Sequence, residues 1–202
     1  MALQGGAALV AGRWPRTFWP VMSAGLLGGA WVVRPRGGAG WGRPPDRAGL
    51  VAGALAGVGL YGLTAAVAAA VGRTRRGGAA LAGYRARMGS APRPLARGLL
   101  VPDVVAEELL WRGAVQGALV AEGSPAAGLA GATAIYAATQ AASGNPLFPL
   151  AAAALGLVTG PLALRTGSVW PGAVAHLVWA QLCLGPPGLP GGPSPVGRDP
   201  LG

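Results

Sequence analysis

Apolar runs long enough to cross a bilayer, separated by short arginine-bearing stretches, set the pattern of this chain. Residues 17–33 carry no charge, and neither do residues 48–72. No charge occurs between Glu122 and Arg165, and after Arg165 none returns until Arg198, with His176 in between. A helix needs about 20 apolar residues to cross the hydrocarbon layer, so the stretch from Glu122 to Arg165 has room for two. The turn signal SGNP at 143–146 divides it. Six transmembrane helices are predicted, over 17–33, 48–72, 98–121, 124–142, 147–165 and 167–184. The fold class is therefore all-α, a polytopic membrane helical bundle. Three parts follow from the pattern. Residues 1–97 hold the N-terminal helices and an arginine-rich segment, 73–97, in which a short amphipathic piece lies along the head groups. Residues 98–184 hold the core helices. Residues 185–202 form a tail too rich in Pro and Gly to pack, which is expected to be disordered.

Composition strengthens the membrane reading. The chain is 52% hydrophobic and 11% charged, against about a quarter charged in an ordinary soluble domain. It lacks the polar residues to cover a soluble surface. All 16 basic residues are arginines, and the net charge is +10. A basic chain suggests nucleic acid, but here the arginines mostly fall in loops between apolar runs, where they read as topology signals. No nucleic-acid partner is expected. With the N-terminus cytoplasmic, ten arginines fall on the cytoplasmic side and five on the other, so the positive-inside bias places both termini in the cytoplasm of a multi-pass cell-membrane protein. Cys183 is the single cysteine, so no internal disulfide forms, and it reads as packing filler. No basic residue precedes Arg13 and no cleavage site is apparent, so no removable signal peptide is expected. Gly49, Gly53 and Gly57, at spacing four in the second helix, let another helix approach closely within the bundle.

One stretch breaks the pattern. VAEELLWRGAV, residues 105–115, places Glu107, Glu108 and Arg112 in an apolar helix, with Asp103 one turn earlier. Each mid-membrane charge costs ~2.5–3.5 kcal/mol, so four would cost on the order of 12 kcal/mol uncompensated. Glu108 and Arg112, four apart, stack on one face and pair. Asp103 and Glu107 share another face, rotated by roughly 100°. Asp103 follows Pro102 near the expected helix start, so it reads as an interfacial residue that caps or snorkels. Glu107 is left with no basic residue at helical spacing. Intramembrane ionisable groups generally face the bundle interior and mark function. Adjacent carboxylates raise each other's cost, so an ion pair that merely fixes packing explains the cluster poorly.

His176 lies in SVWPGAVAHLVWAQ. Ser168 reads as the cap of the last helix and Pro171 falls in its first turn, which puts His176 about two turns in, at a depth comparable to Glu107. A carboxylate and an imidazole at one depth can run acid–base chemistry on a water. A lone histidine in an apolar helix is otherwise a packing residue. Two further function classes compete with catalysis, a small proton-coupled transporter using Glu107 as a relay and a non-catalytic membrane scaffold. Transporters of that kind usually show paired, repeated halves, and no such symmetry is visible here.

These residues resemble the CPBP family of intramembrane proteases, which includes the CAAX prenyl endopeptidases and the bacterial bacteriocin-immunity (Abi-type) proteins. The family pattern is EExxxR on one helix, FxxxH on a second and HxxxN on a third. EELLWR matches the first as Glu107, Glu108 and Arg112, and Gly113 also fits. IYAATQ sits at the interval of the second, with Tyr136 in the aromatic position and Gln140 in place of histidine. GSVWPGAVAHLVWA matches the approach to the last histidine, His176, with Ala180 in place of asparagine. The resemblance covers roughly 100–184. It implies an endopeptidase in which Glu107 is the general base on a water, His176 an oxyanion donor, and Glu108 with Arg112 the holders of the site's geometry. Gln140 can orient a water but cannot take a proton, and Ala180 offers no donor, so a weakened enzyme or a pseudoprotease that binds peptide is implied. The family is often labelled metalloprotease. A catalytic zinc usually takes three protein ligands, and Glu107, Glu108 and one histidine serve it poorly, so no cofactor is expected. The implied partners are membrane lipid and a membrane-associated peptide or protein substrate.

Overall fold

The computed structural model describes residues 18–32, 43–88 and 93–185. Seven helices make up the fold among them: α1 (Phe18–Val32), α2 (Arg47–Val71), α3 (Arg75–Met88), α4, α5 (Pro125–Ala141), α6 (Leu147–Thr166) and α7 (Trp170–Cys183). Helix α4 is continuous but changes character along its length. It is α-helical over Arg93–Glu108, π-helical over Leu109–Gln116 and α-helical again over Gly117–Glu122. The expected six helices are all present within a few residues of their expected ends. The arginine-rich segment 73–97 holds a helix, α3, that carries Arg75, Arg76, Arg85 and Arg87. The Pro/Gly tail beyond residue 185 and the loop carrying Arg34 and Arg36 lie outside the described residues.

Local chemistry sets the helix ends. Asp46 caps α2 by accepting from the Gly49 N–H at 2.6 Å, and Ser124 caps α5 by accepting from the Ala127 N–H at 3.2 Å, with Pro125 in the first turn. Both relieve the orphan donors of a helix start. Helix α6 ends at Gly167, whose φ of 61° is the left-handed conformation that a glycine tolerates. Ser168 does not sit at the cap position of α7. That position is Val169, and the Ser168 hydroxyl instead accepts from the Trp170 N–H at 3.3 Å.

Helix α4 starts earlier than expected, at Arg93, so Pro102 lies inside it rather than at its mouth. A proline there forgoes the N–H bond to the carbonyl four residues back, which here belongs to Gly98. This longer helix places Asp103 well past the helix start, with its side chain buried in the bundle at 6% exposed. Asp103 is therefore not the cap of its helix, as its place after Pro102 suggested.

Helix α7 packs on α2, α4 and α6, and α2 is its closest neighbour because of the glycine row. Gly49, Gly53 and Gly57 are buried. A Cβ at Gly53 would run into the Pro171 carbonyl, and one at Gly57 into that of Ala175. The row is therefore a packing device that brings the α7 backbone against α2 and so fixes where His176 stands. Gly57→Ala should force the helices apart and cost ~1–3 kcal/mol, the range for overpacking a tight contact. Thermal unfolding in detergent checks this, and an unchanged midpoint would mean that α7 can shift freely.

Two helices, α2 and α6, are long and apolar enough to cross a membrane, each with a mean hydropathy of 1.9 over its best window. Neither is mostly buried, as the core helix of a soluble fold would be. Leu55 on α2 is 68% exposed and Leu157 on α6 is 60% exposed, and Val51, Val58, Leu63 and Leu150 are exposed beside them. A surface of this kind suits lipid. The inner faces meet in one main cluster, Leu60, Leu110, Trp111, Tyr136, Ala152, Leu155 and Trp179, which lies directly against the charged residues of α4.

Candidate active site

Four helices bring the site together. Glu107 and Glu108 end the first α-helical part of α4, and Arg112 lies in its π-helical part. Tyr136 and Gln140 come from α5, and His176 from the second turn of α7. Helix α1 adds Ser23.

Glu108 is fully buried and engaged at both oxygens. Its Oε2 lies 3.3 Å from Arg112 Nε, the pairing that spacing four favours. This is an ion pair without hydrogen-bond alignment, since Oε2, Nη1 and Nη2 find no hydrogen-bond partner among the described residues. The guanidinium carbon stands 5.2 Å from the centre of the Tyr136 ring, a cation–π distance. Glu108 Oε1 lies 3.0 Å from His176 Nδ1. A carboxylate only accepts, so Nδ1–H donates to it. That bond fixes the ring and turns Nε2 toward Glu107, whose Oε2 is 3.6 Å away, too far for a direct hydrogen bond.

Glu107 is held differently. The Tyr136 hydroxyl donates to its Oε2 at 3.1 Å, and its carboxylate lines a partly open cavity of about 120 Å³. Glu108 does not line it. Gln140, His176 and Ala180 do, together with Asp103 and Tyr136. A water needs about 10–15 Å³ of such space and two to four polar partners, so the cavity can hold several waters beside Glu107. The residues named from the sequence thus fall into two groups. Glu107, Gln140 and His176 converge on the cavity, whereas Glu108 and Arg112 stand behind it.

The π-helical turn accounts for part of this arrangement. Leu109, Leu110, Trp111, Arg112 and Gln116 are all buried, and Gln116 donates to the Gly160 carbonyl of α6 at 3.1 Å. A wider i→i+5 turn, a form often found at functional sites, keeps this many residues on the inner side. Sequence reasoning gave no hint of it. Nor did it see the Tyr136 hydroxyl as a partner of Glu107, although a tyrosine in an otherwise apolar stretch of α5 was an available signal.

A bound metal fits these residues poorly. Among the described residues no three His, Cys, Asp or Glu side chains gather as a metal site. Both oxygens of Glu108 face protein partners, which leaves Glu107 and one imidazole nitrogen turned toward each other, fewer than the three ligands of a catalytic zinc.

No curated protein matches the chain, and no solved structure does. A family model does match, over the part of the chain that carries Glu107, Gln140 and His176. Residues 92–182, over α4 to α7, match the model of the type II CAAX prenyl endopeptidase Rce1-like family.

Proposed function

We propose that this protein is an intramembrane endopeptidase that hydrolyses a peptide bond of a membrane-associated substrate, with no cofactor and with a site weakened at Gln140 and Ala180. The observation that carries the reading is the cavity lined jointly by Glu107, Gln140 and His176. In this reading the Glu107 carboxylate takes a proton from a cavity water, and the resulting hydroxide attacks the scissile carbonyl carbon. His176, when doubly protonated, keeps Nδ1–H on Glu108 and offers Nε2–H to the oxyanion. As the C–N bond breaks, the proton on Glu107 passes to the departing amine. Glu108 and Arg112 hold the imidazole in place and touch no reacting atom. The protein is proposed to span the cell membrane six times with both termini cytoplasmic, on the arginine count and the apolar runs.

The site lacks two groups that its family pattern supplies, so restoring them is the test. Gln140→His returns a proton-transfer group, worth ~10²–10⁴-fold where it is fully effective. Ala180→Asn returns an amide donor, worth ~10²–10³-fold in an intact oxyanion hole. Both positions line the cavity, so the new polar groups meet space rather than lipid. The double variant is expected to cleave a labelled single-span peptide in liposomes at least about tenfold faster than the parent, a small part of those ranges. A folded double variant with no gain would turn the reading toward a pseudoprotease that binds peptide without cutting it.

A further inference from the structure

Asp103 has no role in the chemistry above, yet it lines the same cavity one turn from Glu107. It is 6% exposed. The Ser23 hydroxyl of α1 donates to its Oδ2 at 2.8 Å. Its Oδ1 is buried and has no hydrogen-bond partner among the described residues. No arginine is among the residues that line the cavity, and Arg112 is turned away onto Glu108 and the Tyr136 ring. A buried carboxyl with one neutral donor and one unused oxygen is expensive, and here that oxygen belongs to a cavity-lining side chain. The cavity is thus acidic at Asp103 and Glu107, and its one basic lining group among the described residues, His176, is turned to Glu107 and Glu108 rather than to Asp103.

The occupant that balances this charge is an N–H-bearing cation. A metal such as calcium takes six to eight oxygens, which these residues do not supply. A lysine ammonium or an arginine guanidinium can pair with one carboxylate while its other N–H donors go to cavity water, and it brings a long apolar stem, which suits walls built from Leu100, Val104, Phe148 and Ala151. Position follows from geometry. Four residues of helix rise ~6 Å, and an extended peptide advances about 3.3–3.6 Å per residue. We propose that Asp103 is a specificity-determining cation subsite that takes a lysine or arginine side chain of the bound peptide about two residues from the bond placed at Glu107. The placement of that bond rests on the endopeptidase reading; the subsite itself requires only that peptide binds.

Binding therefore tests it without cleavage. The full chain carrying Glu107→Gln, in zwitterionic nanodiscs, is titrated with a fluorescent single-span Leu/Ala peptide bearing one arginine, and with its norleucine counterpart. Moving the arginine along the peptide maps the position. The arginine peptide is expected to bind about 10–100-fold more tightly, the range for a hydrogen bond to a charged group. Asp103→Asn should bring the ratio below about threefold, and Asp103→Glu should keep most of it. Equal binding of the two peptides by the parent overturns the subsite, whatever the variants do. So does a full preference retained in Asp103→Asn. An equal loss in Asp103→Asn and Asp103→Glu would make Asp103 a packing residue for Ser23 and also overturn the subsite. If the arginine preference holds while the Gln140→His, Ala180→Asn variant never cleaves, the subsite stands and the endopeptidase reading falls.

Discussion

Glu107→Gln is expected to lower peptide cleavage by ~10²–10⁴-fold, the contribution of a positioned acid–base group. The measurement belongs in the Gln140→His, Ala180→Asn background, where there is most rate to lose, with a labelled membrane peptide in liposomes. The substitution keeps the volume of the side chain and leaves an oxygen to accept from the Tyr136 hydroxyl, which now lies 3.1 Å from Glu107. An amide cannot take the proton of water at any working pH. A structural loss is distinguished by the unfolding midpoint, which should stay close to that of the parent. Cleavage that persists within a few-fold would move the base elsewhere, with His176 the next group to examine, since its Nε2 faces the same cavity.

Arg112→Ala is expected to cost ~3–5 kcal/mol of stability, the penalty for breaking a buried ion pair by removing one partner. Glu108 is 0% exposed and Arg112 is 5% exposed, so the substitution leaves a buried carboxylate without its cationic partner. The guanidinium also covers the Tyr136 ring, so packing is lost with the charge. Denaturation in detergent reads the effect. Glu108→Gln combined with Arg112→Met should recover a large part of it, because a buried pair replaced by neutral groups is often close to neutral. An Arg112→Ala variant as stable as the parent would mean that His176, 3.0 Å from Glu108, balances that carboxylate alone.

The two predictions separate jobs that the adjacent letters EE conceal. Helical spacing showed that Glu108 has a cationic partner four residues on and that Glu107 has none, because i and i+4 share a face on any helix. The direction of Glu107 and Glu108 relative to a cavity was set by what stands opposite them. On one side that is Tyr136, 29 residues away, and on the other His176, 68 residues away.

What the chain determined by itself is therefore local. The uncharged runs marked α1, α2 and the span of α5 to α7, because a helix buried in lipid or bundle needs apolar length and little else. Ser124–Pro125 and SGNP marked ends and turns, because caps and tight turns depend on neighbouring residues. The motif around Glu107, Glu108, Arg112 and His176 was legible as a pattern of letters and interval. Tertiary structure decided the rest. The Gly49–Gly53–Gly57 row could pack on any helix, and the bundle chose α7. The π-helical turn of α4 arises where five of its eight residues are drawn inward, a demand made by neighbours rather than by propensity. Asp103 read as an interfacial residue because Pro102 looked like a helix start. Its burial against Ser23, 80 residues earlier, depends on α1 lying beside α4. No spacing rule reaches across 80 residues, since a contact between two helices is fixed by which faces pack and not by the residues between them.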